Sequence, residues 1–363
     1  MTTPASAPNF VDRARPVRSG EELDIAKVAA YLATVDPALT GTPEVTQFPG
    51  GASNLTYLLT YEGGRELVLR RPPFGHRAKS AHDMMREARV MQALGPVYPY
   101  VPHVVALCDD LSVLDAEFFV MERIRGIIPR TNLPKGMTLD VDSTRKLCIS
   151  VIDRLIELHQ IDHVKAGLTS LGKGEGYVAR QVTGWSERYR KARTPNVGDF
   201  ELVMSWLADK MPKSEVSICV VHNDFRFDNV VLDPQDPMRV IGVLDWEMAT
   251  LGDPLMDLGN TLAYWVQADD PQFRQLTRRQ PTHLPGMLSR AEVVDYYGQK
   301  TGTRVDDFDF FEVYGLFRLA VIVQQIYYRY HHGQTTNPEF AGYYGLTQFL
   351  ESLCQELIAK SKL

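Results

Sequence analysis

The chain has 363 residues, of which 44% are hydrophobic and 23% are charged, and its formal net charge is −6 at pH 7. This length suggests roughly two domains, and the apolar content is ordinary for a globular protein with a buried core. The acidic balance, without a dominant basic patch, argues against a nucleic-acid partner. No apolar run approaches the ~20 residues that a membrane-spanning helix needs, so we expect no membrane partner.

The cysteines and the N-terminal segment indicate a reducing compartment. The four cysteines form no C-x-x-C pair, so we expect buried thiols rather than a zinc site or a disulfide framework. Residues 1–18 are rich in Thr, Pro, Ala and Arg and lack the apolar segment of a secretory signal. We therefore predict a loose N-terminal arm and a cytoplasmic location. The cysteines are Cys108, Cys148, Cys219 and Cys354.

Helical and strand patterns alternate over the first third of the chain. A capping box that starts at Ser19 predicts a helix over residues 23–35. A second helix, capped by Ser80, is predicted to end at Leu94. Apolar and β-branched runs predict strands at residues 45–48, 55–61, 66–70, 104–107 and 117–121.

A glycine-rich turn separates the first two predicted strands. Gly50 and Gly51 let the backbone approach a polyphosphate closely, and amide N–H groups and the Ser53 hydroxyl can donate to it. Asn54 completes this turn. An ordinary hairpin would also use glycine, and the acidic stretch further along the chain favours the phosphate-binding interpretation.

From Gly126 onward the pattern is mainly helical. Helices are predicted over residues 141–160, 255–266, 288–301, 310–330 and 343–358. In the segment 310–330, Leu316, Leu319, Ala320, Val323 and Ile326 fit a buried face, whereas Arg318 is placed elsewhere on the helix.

Acidic and amide side chains stand at the ends of three short apolar runs between residues 218 and 257. These runs, at residues 218–221, 230–232 and 240–244, predict buried strands. Asp224 is placed to orient and deprotonate a hydroxyl group, and Asn229 and Asp245 offer oxygen ligands for Mg²⁺. This set suits phosphoryl transfer, which needs positioning and metal ligands more than covalent steps. The alternative is that Asp224 and Asp245 only cap loops.

The same stretch resembles a known family of enzymes. The pattern His222-x-Asp224-x-Arg226-x-x-Asn229, followed by Asp245-Trp246-Glu247, is similar to the catalytic loop and metal-binding aspartate of the aminoglycoside phosphotransferase and choline kinase family, small-molecule relatives of the protein kinases. The resemblance implies an α+β, bilobal, protein-kinase-like fold. Residues 19–123 would form an N-lobe with a small antiparallel sheet, and residues 124–363 a mainly helical C-lobe.

The resemblance also implies roles for further residues. ATP, or GTP as the alternative nucleotide, would lie between the lobes with Mg²⁺. Arg70 takes the place of the lysine on a strand of the family fold, and Glu87 is its expected ion-pair partner. Glu122 lies in the segment that would contact adenine through backbone groups. Arg226 would offset charge near the γ-phosphate.

The resemblance narrows to the kinase domains fused to acyl-CoA dehydrogenase family members ten and eleven. It rests on the Gly-Gly-Ala-Ser-Asn turn, the Arg70-Arg71-Pro72-Pro73 run and residues 177–193. It implies a small hydroxylated substrate, namely a 4-hydroxy acid or its CoA thioester. An aminoglycoside or choline-type acceptor and an ATP-binding pseudokinase stay as alternatives. The sequence assigns no oligomeric state and no role to Arg180, Trp185, Arg318 or Arg329, although arginines such as Arg318 would suit a carboxylate or a CoA phosphate.

Overall fold

The computed structural model describes residues 10–49, 54–74 and 83–363. These residues form two compact units that are interleaved in sequence. The first unit comprises Met1–Leu139, Ala166–Leu168 and Phe227–Ala249, and the second comprises Asp140–Lys165, Thr169–Arg226 and Thr250–Leu363. The lobe boundary expected between residues 123 and 124 stays a prediction.

A five-stranded antiparallel sheet forms the core of the first unit. Its strands run in the order β1-β2-β3-β5-β4. Apolar side chains of β2, β3 and β5 pack with Val28 and Leu32 of α1, because the alternating strand pattern directs Leu59, Leu69 and Val120 toward that helix. The elements are α1 (Ile25–Val35), β1 (Glu44–Gln47), β2 (Leu55–Thr60), β3 (Glu66–Arg71), α2 (Met84–Leu94), β4 (Val104–Cys108), α3 (Leu111–Leu114) and β5 (Phe118–Glu122).

The first helix begins later than predicted. Asp24 is the N-cap of α1, and its carboxylate accepts the Lys27 N–H at 3.3 Å. The capping box at Ser19 is wrong, because the Glu22 carboxylate instead folds back to accept the Gly20 N–H at 2.8 Å. The N-cap of α2 is Asp83, and Ser80 lies outside the described residues.

The N-terminal arm also differs from the expectation of a loose segment. Arg15 and Gln47 exchange backbone hydrogen bonds of 2.8 and 2.7 Å, and the Asp12 N–H donates to the Gly126 carbonyl at 3.0 Å. The physical reason is that β1 is an edge strand, whose unpaired backbone groups take a further partner. Residues 10–18 are therefore anchored, and residues 1–9 lie outside the described part of the chain.

A two-stranded hairpin completes the first unit. It consists of β7 (Val230–Leu232) and β8 (Val240–Val243), which pair antiparallel with Val230 opposite Val243. Ile127 bridges to Leu232, so the hairpin is tied to the chain that follows β5. The hairpin thereby fixes the residues at its two ends, which include Asn229 and Asp245.

The second unit is mainly helical. Strands β6 and β9 pair antiparallel and hold the segment that leads into residue 222. The helices predicted at 141–160, 255–266, 288–301, 310–330 and 343–358 are all present, with ends shifted by a few residues. The elements are α4 (Val141–His159), α5 (Tyr177–Ala192), α6 (Glu201–Asp209), β6 (Cys219–Val221), β9 (Thr250–Gly252), α7 (Pro254–Ala263), α8 (Gln272–Leu276), α9 (Arg290–Thr301), α10 (Asp309–His331) and α11 (Tyr343–Lys360).

Helix α10 is buried over most of its circumference. It crosses α7 so closely that a Cβ atom on Gly315 would overlap the backbone carbonyl of Gly259. The prediction that Arg318 lies off the buried face is wrong, because its side chain is only 4% exposed. Leu319 and Ile326 are instead partly exposed. A helix that is surrounded by neighbours has no polar face. A single apolar stripe with a period of 3.6 residues therefore does not predict which of its side chains are buried.

The combination of an antiparallel sheet with many helices confirms the predicted α+β class. Among residues 10–49, 54–74 and 83–363, no helix combines the length and the apolar character that crossing a bilayer would require.

Candidate active site

The predicted phosphate-binding turn is only partly visible. Gly50, Gly51 and Ser53 lie outside the described residues. Asn54 is buried just before β2, and its Nδ2 donates to Glu247 Oε2 at 2.8 Å. Asn54 therefore ties the end of the turn to the segment that follows Asp245.

Arg70 joins two carboxylates in the first unit. It projects from β3, and its guanidinium forms ion pairs with Glu87 of α2 and, at 3.2 Å, with Asp245. The Arg70 side chain is 11% exposed and the Glu87 side chain only 1%. The planar fork of an arginine can bind both acids at once, which the single ammonium of a lysine does less well. The predicted Arg70–Glu87 pair is thus present, together with a contact to the predicted metal ligand.

Burial and neighbouring charges shift the pKa values in this cluster. Burial raises the pKa of Glu87 to about 7, and the nearby Asp245 and Glu247 add to the rise while Arg70 opposes it. Burial lowers the pKa of Arg70, but the carboxylates of Glu87, Asp245 and Glu247 outweigh this effect and raise it overall. Arg70 is therefore charged at neutral pH.

Asn229 and Asp245 lie at neighbouring ends of the β7–β8 hairpin. The Leu244 N–H donates to the Asn229 carbonyl at 2.8 Å, one residue before Asp245. Asp245 has a φ of 68°, and its side chain is 31% exposed. Amide and carboxylate oxygens are ligands that Mg²⁺ accepts when phosphate and water complete its octahedron. Within the described ranges, no cluster of three or more His, Cys, Asp or Glu residues could hold a metal. The assignment of Asn229 and Asp245 as Mg²⁺ ligands stays a prediction.

Asp224 and Arg226 lie together in the second unit. Arg226 Nη2 is 3.3 Å from Asp224 Oδ2, and the two side chains are 18% and 20% exposed. The Arg226 Cζ also lies 4.7 Å from the ring centroid of Tyr264. The structure thus brings the two predicted catalytic residues into contact and leaves both partly accessible.

Asp257 fixes the loop before Asp224. Its carboxylate accepts the N–H groups of His222 (2.6 Å) and Asn223 (2.7 Å), and it lies 3.1 Å from His159 Nε2. Asp257 is fully buried. Burial alone would raise its pKa, but the contacts with His159 and His222 lower the pKa overall. The group is therefore an ionised anchor.

Asn223 holds the left-handed turn of this loop. Its φ of 64° lies in a region that asparagine tolerates better than most side chains. The hydroxyl of Tyr177 and the amide of Asn260 donate to Asn223 Oδ1 at 2.9 and 3.1 Å. Arg318 Nη2 donates to the Asn223 carbonyl at 2.9 Å. Asn223 thus lies at the centre of a buried hydrogen-bond network.

Sequence reasoning missed several members of this network. His159 ends α4 and also contacts the Tyr297 hydroxyl at 2.9 Å. No local pattern marks His159, because its partner Asp257 is 98 residues away. A polar residue within the apolar face of helix 141–160 is the one signal that could have drawn attention to it.

Glu122 is engaged within the first unit. Its N–H donates to the His103 carbonyl at 2.8 Å, and its carboxylate accepts from Arg65 at 2.9 Å. The adenine contact expected at Glu122 stays a prediction.

Comparisons with known proteins identify the family of the chain. The sequence model of the phosphotransferase enzyme family matches residues 44–293. Mouse acyl-CoA dehydrogenase family member 10 is 32% identical over 354 residues, which cover 96% of this chain and 32% of that protein. The chain spans less than half the length of the curated relatives that it matches, with 41% for the rat family member 11.

Solved structures show the same fold. A Ralstonia eutropha protein with the provisional name aminoglycoside phosphotransferase matches with a TM-score of 0.79 and 28% identity, covering 94% of this chain and all of that one. Choline kinase from Cryptosporidium parvum matches in fold, with a TM-score of 0.63, 14% identity and coverage of 93% and 97%. The predicted kinase-like fold and the predicted resemblance are thus confirmed. The chain belongs to the phosphotransferase enzyme family, and it is a phosphotransferase that acts on a hydroxyl acceptor.

Proposed function

We propose that this phosphotransferase transfers the γ-phosphate of ATP to the hydroxyl group of a small hydroxyacyl substrate, namely a 4-hydroxy acid or its CoA thioester. The observation that carries the proposal is the anchored loop, in which the Asp257 carboxylate fixes residues 222 and 223 and Asp224 follows beside Arg226. Similarity to mouse acyl-CoA dehydrogenase family member 10 supports an acyl-bearing acceptor.

In this proposal, Asp224 orients the acceptor hydroxyl and receives its proton. Arg226 offsets negative charge on the transferred phosphoryl group. Its ion pair with Asp224 fixes the position of the two side chains relative to each other. Asp257 acts through the backbone of residues 222 and 223, so it is a positioning residue.

The nucleotide side of the proposal uses the first unit. Asn229 and Asp245 would hold Mg²⁺ through an amide and a carboxylate oxygen. The metal held by these two residues would supply positive charge against the negative charge that develops on the phosphoryl group. Arg70 orients Asp245 and supplies positive charge for the phosphates, while Gly50, Gly51, Ser53 and Asn54 form the proposed phosphate-binding turn. GTP is the alternative nucleotide, and a cytoplasmic location stays a prediction.

Two substitutions test the proposal. Asp224→Asn should lower kcat about 10²- to 10⁴-fold without changing ATP affinity, because it removes the base and preserves the shape. Asp245→Asn should weaken Mg²⁺-ATP binding, measured by calorimetry. Asp209→Asn serves as a matched control, since the Asp209 side chain is 72% exposed.

The assay measures ATP consumption with 4-hydroxypentanoate, its CoA thioester, choline and an aminoglycoside. Undiminished turnover of Asp224→Asn would reject the role of Asp224. A wild-type protein that binds Mg²⁺-ATP but phosphorylates none of these acceptors would instead indicate an ATP-binding pseudokinase.

A further inference from the structure

Two arginines of the second unit share one aromatic ring. The Cζ atom of Arg318, from α10, lies 5.2 Å from the ring centroid of Trp185 in α5. The Cζ atom of Arg188, one helical turn along α5, lies 4.6 Å from the same ring. Arg318 is 4% exposed, whereas Arg188 is exposed to solvent. The indole therefore holds a fixed buried cation and a second cation that solvent can reach.

Neither arginine has an acidic partner in the described part of the chain. Arg318 donates to the Asn223 carbonyl and contacts the indole of Trp185, and its other neighbours include the uncharged phenols of Tyr177 and Tyr314. The segments outside the described residues, 1–9, 50–53 and 75–82, contain no Asp or Glu, so they cannot supply one. By contrast Arg274, which is as buried as Arg318, pairs with Asp270.

An unpaired buried charge is costly, and two cations on one ring also repel each other. Burying a charge without a counter-charge is strongly unfavourable. The cation–π contacts with Trp185 offset only part of this cost. The cluster is consequently best satisfied by an anion that binds there.

The position of this cluster relates it to Asp224. Arg318 contacts the carbonyl of Asn223, and Asp224 is the next residue. The Asn223 carbonyl belongs to the peptide bond that links Asn223 to Asp224, so Arg318 contacts the backbone directly beside the residue proposed to orient the acceptor hydroxyl.

We propose that Arg318, Trp185 and Arg188 form the binding site for the carboxylate of the acceptor, which is then a free hydroxy acid. This inference rests on the proposed function for the identity of the acceptor hydroxyl. Arg318 supplies a preset donor fork, and Arg188 closes on the carboxylate from the exposed side. The same two cations would repel choline and aminoglycosides, which are positively charged.

The test is a binding measurement that needs no phosphoryl transfer. Calorimetry compares 4-hydroxypentanoate with 1,4-pentanediol, in which a hydroxymethyl group replaces the carboxylate. The wild-type protein should bind the acid at least about tenfold more tightly, since a charge-assisted pair is lost with the diol. Arg188→Gln should remove most of this preference, and it leaves the buried Arg318 in place. Arg190→Gln is the matched control, because Arg190 lies on the same helix and pairs with Glu201 at the surface.

A second variant and a second readout separate binding from loop positioning. Arg318→Lys keeps the charge but loses the fork, so it should raise KM for the acid about tenfold while KM for ATP stays unchanged. An equal fall of kcat on the acid and on the diol, with both KM values unchanged, would show that Arg318 only supports the loop and would overturn the proposal. Equal affinity of the wild-type protein for acid and diol would also overturn it.

Kinetics with the CoA thioester distinguish a site for the substrate carboxylate from a site for a CoA phosphate. The acyl group of 4-hydroxypentanoyl-CoA carries no charge, so Arg188→Gln should change its KM less than twofold. A tenfold loss confined to the thioester would place a CoA phosphate at the arginines and overturn the carboxylate assignment. If the protein binds the acid more tightly than the diol and Arg188→Gln abolishes this difference, the carboxylate site is supported. If no acceptor is phosphorylated in the same experiments, only the proposed function fails.

Discussion

Replacing Asp257 by Asn tests whether the buried carboxylate fixes the loop before Asp224. Asparagine has nearly the same shape, so no cavity forms, but it keeps only one acceptor oxygen. One of the two backbone N–H groups, from His222 or Asn223, then faces an amide NH₂ and loses its partner. An unsatisfied buried N–H costs about 1–3 kcal/mol, and loss of the charge weakens the remaining bonds, including the contact with His159. We expect a total loss of about 3–5 kcal/mol, as for other broken buried pairs.

Denaturation in urea, followed by tryptophan fluorescence, measures the change in free energy of unfolding. Steady-state kinetics should show a fall in kcat of about 10²-fold, since a displacement near 1 Å has this effect on catalysis.

Because the pKa of Asp257 is lowered in the folded protein, its stabilisation is present above about pH 4 and is lost as the pH falls through the lowered value. Asp257→Asn should lack this acid-dependent loss. The exposed Asp209→Asn should stay within about 0.5 kcal/mol of wild type. A similarly small change for Asp257→Asn, with unchanged kcat, would refute the reasoning.

Two further predictions concern packing and thiol reactivity. Gly315→Ala should destabilise the protein by about 3 kcal/mol, because the added methyl group meets the Gly259 carbonyl; thermal unfolding measures this. Gly345→Ala, in α11 with nothing within 4 Å of the new methyl group, should be neutral or stabilising by up to about 1 kcal/mol, and equal effects at both sites would contradict the close helix crossing. Burial raises the pKa of all four thiols, that of Cys148 to about 12, so a disulfide reagent at pH 8 should label no thiol in the native protein and four in guanidinium. Rapid labelling of any thiol before unfolding would argue against this burial.

The elements that could be predicted from sequence are those with strong local patterns. The apolar runs at residues 230–232 and 240–244 predicted strands that the structure contains as β7 and β8. Strands of the sheet were placed within a residue or two, because apolar alternation is a property of neighbouring residues.

The parts that could not be predicted depend on distant partners. Arg318 contacts Asn223 across 95 residues of sequence, and Arg70 contacts Asp245 across 175. Neither contact leaves a periodic signal. The capping box at Ser19 failed for a different reason, since Asp24 is an equally good cap closer to the apolar run.

The left-handed backbone at Asn223 affects what happens when a ligand arrives. A chain with asparagine at residue 223 has fewer unfolded conformations to lose than one with glycine there. The conformational entropy of this turn is therefore lost when the protein folds, and not when a ligand binds. In the proposed mechanism, a hydroxyl group that reaches Asp224 would meet a preorganised carboxylate, and little of its binding free energy would be spent on ordering the loop.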